Sequence, residues 1–176
     1  GIEGLTPEAR TAILKRLSAL GPALVSVERG GLRLLRPGML AREGLEVSPE
    51  HFHDLLATAS LFVGDSQSVA AEAAILGVPT LRLSGFSGRT FYLELLESRG
   101  LMENFRPGEE AALLCALARL IGDGDARRTR SLEQARQLNG EAEDLLSWFV
   151  RLAHELCEGE RRPGTAGRAA RGGATG

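Results

Sequence analysis

The chain has 176 residues, enough for one domain of ordinary size. With 43% hydrophobic residues and a formal net charge of -2, it has material for a buried core and lacks the basic surplus of a nucleic-acid binder. No apolar run approaches the roughly 20 residues that a membrane-spanning helix needs, and no secretory leader pattern is visible, so the expectation is a cytoplasmic chain with no stable membrane insertion.

The chain opens on Gly1 without a starting Met, so the expectation is a fragment of a longer polypeptide, with processing as the alternative. Thr6-Pro7-Glu8 reads as N-cap, first-turn proline and first-turn acid. Ile13, Leu14, Leu17 and Leu20 then recur at helical spacing, and Gly21-Pro22 ends the helix. Residues 23–28 (Ala-Leu-Val-Ser-Val-Glu) predict a strand, Gly30-Gly31 a turn, and Leu32 to Leu35 a short extended piece. Ser48-Pro49-Glu50 starts a second helix, with Phe52, Leu55 and Leu56 on its inner face.

Leu61 to Gly64 is a brief continuous apolar run of the kind buried on both faces in parallel sheets. A helix is predicted over about 68–76, ended by Gly77, then a strand over 79–83 and a helix over 90–98. Leu101-Met102 reads as a short edge strand. Three further helices are expected over 109–121, 125–138 and 141–157, broken at Gly122-Asp123-Gly124 and at Asn139-Gly140. Strand and helix alternate through the first hundred residues. That order predicts an α/β fold, a Rossmann-like parallel sheet flanked by helices, with a helical C-terminal extension. One domain is expected over 1–157. Residues 158–176, dominated by Gly, Ala, Arg and Thr with no acid after Glu160, are expected to be a disordered, solvated tail. Cys115 and Cys157 fit neither zinc-ligand spacing nor a CxxC pair, and read as buried or idle thiols of a reducing compartment.

The segment that carries chemistry is 61–79: strand, polar turn, helix, then Gly-x-Pro into the next strand. Its turn, Gly64-Asp65-Ser66-Gln67-Ser68, lies at the carboxyl end of a strand, where open α/β sheets bind ligands. It also lies at a helix N-terminus, where unbonded amides and the positive end of the dipole suit a phosphate. Ser66 and Ser68 add hydroxyl donors. Glu72, four residues after Ser68, offers a carboxylate that accepts two hydrogen bonds, as a ribose 2′,3′-diol would give. The plainer alternative is a serine N-cap, although Glu72 stands too far along for a capping box with either serine.

Other candidates are weaker. His53-Asp54 reads either as a pair lining a cleft or as an Asp cap beside a surface histidine. Arg29 follows the first strand, and Arg89 closes the loop Ser84-Gly85-Phe86-Ser87-Gly88-Arg89; each is either an anion-binding or a solvated arginine. Trp148, Phe149 and Leu152 read as core or interdomain contacts. No P-loop, HExxH, Ser-His-Asp order or G-x-G-x-x-G is present, and no metal site is expected.

The run Asp65-Ser66-Gln67-Ser68-Val69-Ala70-Ala71-Glu72-Ala73, followed by Leu76-Gly77-Val78-Pro79, resembles the nucleotide-binding motif of UDP-N-acetylglucosamine 2-epimerases and GT-B glycosyltransferases. The resemblance implies that Ser66, Gln67 and Ser68 hold a diphosphate and that Glu72 holds the ribose. The chain departs from the epimerase pattern in carrying Gln67 and Ser68 where that pattern has two glycines. A closer similarity is to the uncharacterised prokaryotic family called domain of unknown function 354, across most of residues 23–106. It rests on Val25-Ser26-Val27-Glu28-Arg29, His53-Asp54-Leu55-Leu56, residues 61–79, residues 82–94 and Gly100-Leu101. What these resemblances imply is the C-terminal domain of a GT-B-type fold, often encoded with surface-polysaccharide genes. Its ligand would be a nucleotide sugar, UDP-linked, with no separate cofactor. Its partner would be a first Rossmann-like domain absent from this chain, and the active site would lie in the cleft between the two. Three functions stay open: a glycosyltransferase half, a sugar-nucleotide 2-epimerase-like enzyme, and a non-catalytic binding module.

Overall fold

The computed structural model describes residues 4–27, 31–35, 43–45, 47–88 and 90–159. The chain divides into two units, Gly1–Gly140 and Glu141–Gly176.

Helix α1 spans Pro7–Ser18 and starts as the sequence predicts. The Ala9 amide donates to Thr6 Oγ1 at 3.2 Å, and Pro7 occupies a first-turn position where its missing N–H costs nothing. Strands β1 (Ala23–Val27), β2 (Gly31–Leu35) and β3 (Glu43–Leu45) follow. They form a sheet of their own, in that order, with both pairings antiparallel. This corrects the expectation that the first strand joins the parallel sheet. Val27 is paired with Gly31 in the register, which leaves only residues 28–30 between the strands. A parallel partner needs a crossover of about a dozen residues, so a strand this close in sequence can only fold back. The second predicted helix is split into a 3-10 turn, Pro49–His51, and a short helix α2, Phe52–Ala57.

The next stretch is strictly alternating: β4 (Phe62–Gly64), α3 (Gln67–Ile75), β5 (Thr80–Leu83), α4 (Phe91–Ser98) and β6 (Met102–Phe105). The three strands pair in parallel in the order β4-β5-β6. All four residues of β5 are buried, as expected of a central strand covered on both faces. Leu81 and Leu83 point into a cluster with Ile13, Leu113, Leu117 and Leu120. Helix α5 (Glu110–Glu141) supplies the last three, so α1 and the first half of α5 cover that face. Ala70, Ala71 and Ala74 of α3, with Leu93 and Leu96 of α4, cover the other.

Helices α3 and α4 end alike. Gly77 (φ 73°) and Gly100 (φ 69°) take the left-handed conformation after each helix. The amides of Val78 and Leu101 then donate back to Ala73 O and Leu96 O, each at 2.9 Å. Helix α5 breaks at Gly124 (φ 50°, ψ -130°), where the Gly122-Asp123-Gly124 run predicts a break. Its second half fastens the helix ends. Arg127 Nη2 donates to Gly100 O at 2.9 Å, Arg128 Nη2 to Ala57 O at 2.7 Å, Arg128 Nη1 to Gly77 O, and Asn139 Nδ2 to Ile75 O at 3.3 Å. The arginines thus meet the negative ends of α2, α3 and α4. All three C-termini lie at the amino edge of the parallel sheet, which leaves the N-termini of α3 and α4 at its carboxyl edge.

The second unit contains helix α6, Leu145–Gly159. The Asp144 carboxylate accepts the Ser147 amide at 3.0 Å and the Ser147 hydroxyl at 2.6 Å. Trp148 and Phe149 are exposed and meet edge to face, 5.0 Å between centroids, which removes the core alternative for these two and leaves the interdomain one. Cys115 and Cys157 are unpaired and exposed, which removes the buried reading for both. No helix of the described residues is long and apolar enough to cross a membrane. The expected tail at 158–176 lies, from residue 160 onward, outside the described residues.

Candidate functional site at the carboxyl edge of the parallel sheet

Strand β4 ends at Gly64, where a Cβ would stand 2.8 Å from Phe62 Cζ, so a side chain there would have to displace the Phe62 ring. Ser66 is extended (φ -65°, ψ 133°), and its Oγ accepts the Val69 amide at 3.4 Å. Ser66 is therefore the N-cap, and α3 begins at Gln67, one residue earlier than the sequence suggests. The third helical position is Val69, which rules out a capping box. The Gln67 and Ser68 amides open the helix and have no intrahelical carbonyl to meet. With the helix dipole they suit an anion. The Ser66 oxygen is used as an acceptor, and its hydroxyl proton remains available to donate. Gln67 and Ser68 have helical backbone, so neither position needs the conformational freedom of the glycines found in the epimerase pattern.

Glu72 lies four residues beyond Ser68, on the same face of α3 and about 6 Å further along the axis. Its Oε2 is 3.4 Å from Nε2 of His53 on α2, with both side chains partly exposed. The structure thus brings together Ser66, Gln67, Ser68, Glu72 and His53. It does not bring in Asp54, which faces His51 Nδ1 at 3.7 Å on the surface and caps no helix. Exposed pairs of this kind contribute about 1 kcal/mol or less, so a ligand can displace His53 from Glu72. Arg29 and Arg89 lie outside the described residues.

The loop after β5 is tied down on its described part. The Ser84 amide and the Ser87 hydroxyl both donate to Phe105 O, at 3.0 and 2.9 Å, and the Phe86 amide donates to Ser84 Oγ at 3.4 Å. Beyond it, Phe91 and Tyr92 are exposed on the first turn of α4, at the same edge of the sheet.

Arg82 is a further residue of this edge that no sequence motif marks. It is the third residue of β5 and is completely buried. Its register partner on one side is Gly64 and on the other Asn104, whose Oδ1 accepts from Nη1 at 3.3 Å. Nε and Nη2 are buried without a hydrogen-bond partner. Burial pulls the guanidinium pKa below its ordinary value, opposed by Tyr92 and Asp65, and arginine is basic enough to stay charged. The signal was available in the sequence: one cation inside the run Thr80-Leu81-Arg82-Leu83, which otherwise reads as a strand buried on both faces.

Two shallow concavities line α1, one of them shared with Ala118 and Ile121 of α5; they sit on the opposite face of the sheet from α3. No family model, no curated protein and no solved structure matches the chain. What the fold and site define is a class: an α/β domain with an anion-compatible helix N-terminus at the carboxyl edge of a three-stranded parallel sheet.

Proposed function

We propose that this chain is the nucleotide-sugar-binding half of a GT-B-like glycosyltransferase of surface-glycan synthesis, related to the domain of unknown function 354 family. The observation that carries the reading is the joint placement of a Ser66-capped helix N-terminus and, one turn along from Ser68 on the same face, the accessible Glu72 carboxylate. A nucleoside diphosphate has the same order of groups: a diphosphate for the Gln67 and Ser68 amides and the Ser66 hydroxyl, then a ribose diol for Glu72. In sugar transfer, charge builds on the departing diphosphate. Amides fixed at a helix N-terminus stabilise that charge without reorganising as it forms. Catalytic groups would come in part from a partner Rossmann-like domain across the cleft, and the nucleotide would be UDP-linked.

The test is calorimetric titration of the folded chain with UDP, and with uridine as the control that lacks phosphate. The expected result is binding that needs the diphosphate and weakens about tenfold or more in Glu72→Ala, from the loss of hydrogen bonds to a charged acceptor. Equal affinity in wild type and variant would remove the ribose assignment. Equal affinity for UDP and uridine would remove the phosphate assignment.

A further inference from the structure

A charged group enclosed in protein with unused donors is costly, by several kcal/mol per ion in general. Arg82 is such a group. Its residue is fully buried, one nitrogen is spent on Asn104 Oδ1, and Nε and Nη2 have no acceptor. Strand alternation settles its direction. Leu81 and Leu83 face the α1 and α5 layer, so Arg82 faces the α3 and α4 layer. On that side its neighbour across the β4 ladder is Gly64, the last residue before the Asp65-Ser66 turn, where the Phe62 ring stands in the place of a Gly64 side chain. Asp65 and Tyr92 are the ionisable groups whose charge reaches Arg82, and both are exposed to solvent. Arg82 thus stands one strand over from the residue that leads into the turn opening α3. Two independent features fall on neighbouring segments: the unbonded amides that open α3 just after Gly64, and an unsatisfied buried cation on the register partner of Gly64.

We propose that Arg82 is an anion-binding residue, whose Nε–H and Nη2–H donate to a phosphoryl group held at the Gly64–Ser66 turn and the first turn of α3. A guanidinium edge presents two parallel donors to two phosphoryl oxygens. The nucleotide reading enters only in naming the molecule that carries the phosphoryl group; the anion site itself stands on Arg82.

The full chain, labelled with nitrogen-15, is titrated with inorganic pyrophosphate and separately with UDP, as wild type and as Arg82→Met. The Arg82 Nε–H signal is assigned by its loss in the variant or, should the variant fail to fold, by through-bond correlation in the wild type. The expected result is that pyrophosphate shifts this signal together with the Gln67 and Ser68 amides. In Arg82→Met the affinity falls about tenfold or more, while the melting temperature without ligand stays level or rises, because an apolar chain replaces an unpartnered buried charge. A purely structural Arg82 gives the reverse pattern: a lower melting temperature and unchanged pyrophosphate affinity. Pyrophosphate binding at Arg82 without a response to UDP keeps this proposal and removes the nucleotide reading. UDP binding that leaves the Arg82 Nε–H signal unmoved removes this proposal and keeps the nucleotide reading. Absence of binding by both ligands to folded wild type removes both.

Discussion

Replacing Arg128 with Met takes away the two hydrogen bonds by which α5 holds the ends of α2 and α3. Nη1 donates to Gly77 O, and Nη2 donates to Ala57 O at 2.7 Å. Hydrogen bonds from a charged donor contribute about 1.5–3 kcal/mol each, and a cation at a helix C-terminus adds a favourable dipole interaction. Burial offsets part of this, since it disfavours the charged guanidinium and pulls its pKa below the ordinary value. Met keeps much of the stem's packing. The expected net loss is on the order of 2–3 kcal/mol, because two carbonyls at helix ends lose their donor together. At roughly 2–4 °C per kcal/mol for a chain of this size, the melting temperature should fall by about 5–10 °C. Thermal unfolding followed by circular dichroism measures the drop. Amide exchange gives the sharper readout: α2 and α3, which carry His53 and Glu72, should lose protection together. A loss below about 0.5 kcal/mol, within the range of ordinary surface substitutions, would refute the reasoning, as would faster exchange confined to α5.

Gly77→Ala should cost about 2 kcal/mol or more in urea unfolding, because Gly77 has φ 73° and an added Cβ would meet the Leu132 Cα at 2.9 Å; a neutral result would mean that the α3–α5 contact is looser than described. Glu72→Ala should leave stability within about 0.5 kcal/mol while weakening nucleotide binding, since its His53 partner is exposed. Parallel losses of stability and affinity would make Glu72 a structural residue.

Much of the fold can be read locally. Thr6-Pro7 starts α1, Gly77 ends α3, and Gly124 breaks α5, because each of these signals depends on backbone geometry within one turn. The separate antiparallel sheet was harder to foresee. Its first strand has the same apolar, β-branched character as a parallel strand, and only the short span between Val27 and Gly31 betrays the pairing. Strand β3, Glu43-Gly44-Leu45, has a single apolar residue and no alternation to read. At the site, the choice between Ser66 and Ser68 as N-cap rests on one φ/ψ pair, which two nearby serines do not distinguish in sequence. The approach of His53 to Glu72 depends on how α2 packs on α3 through Leu56, Ala73 and Val78. That contact is tertiary, so neither residue announces the other. Arg82 is hidden for the opposite reason: a cation in a strand usually points to solvent, and its burial follows from the central place of β5 between β4 and β6 under the α3 and α4 layer.

The central claim is that a nucleoside diphosphate binds at the N-terminus of α3, on the carboxyl edge of the parallel sheet. Its most direct test is amide mapping of the nitrogen-15-labelled chain with UDP, GDP, CDP and dTDP. The account predicts that at least one of them, UDP foremost, shifts the amides of Gln67, Ser68 and Val69 and the neighbourhood of Glu72, while Gly77 and Gly100 at the opposite edge stay unmoved. Shifts confined to the amino edge, or none with any of the four nucleotides from a folded sample, would contradict it.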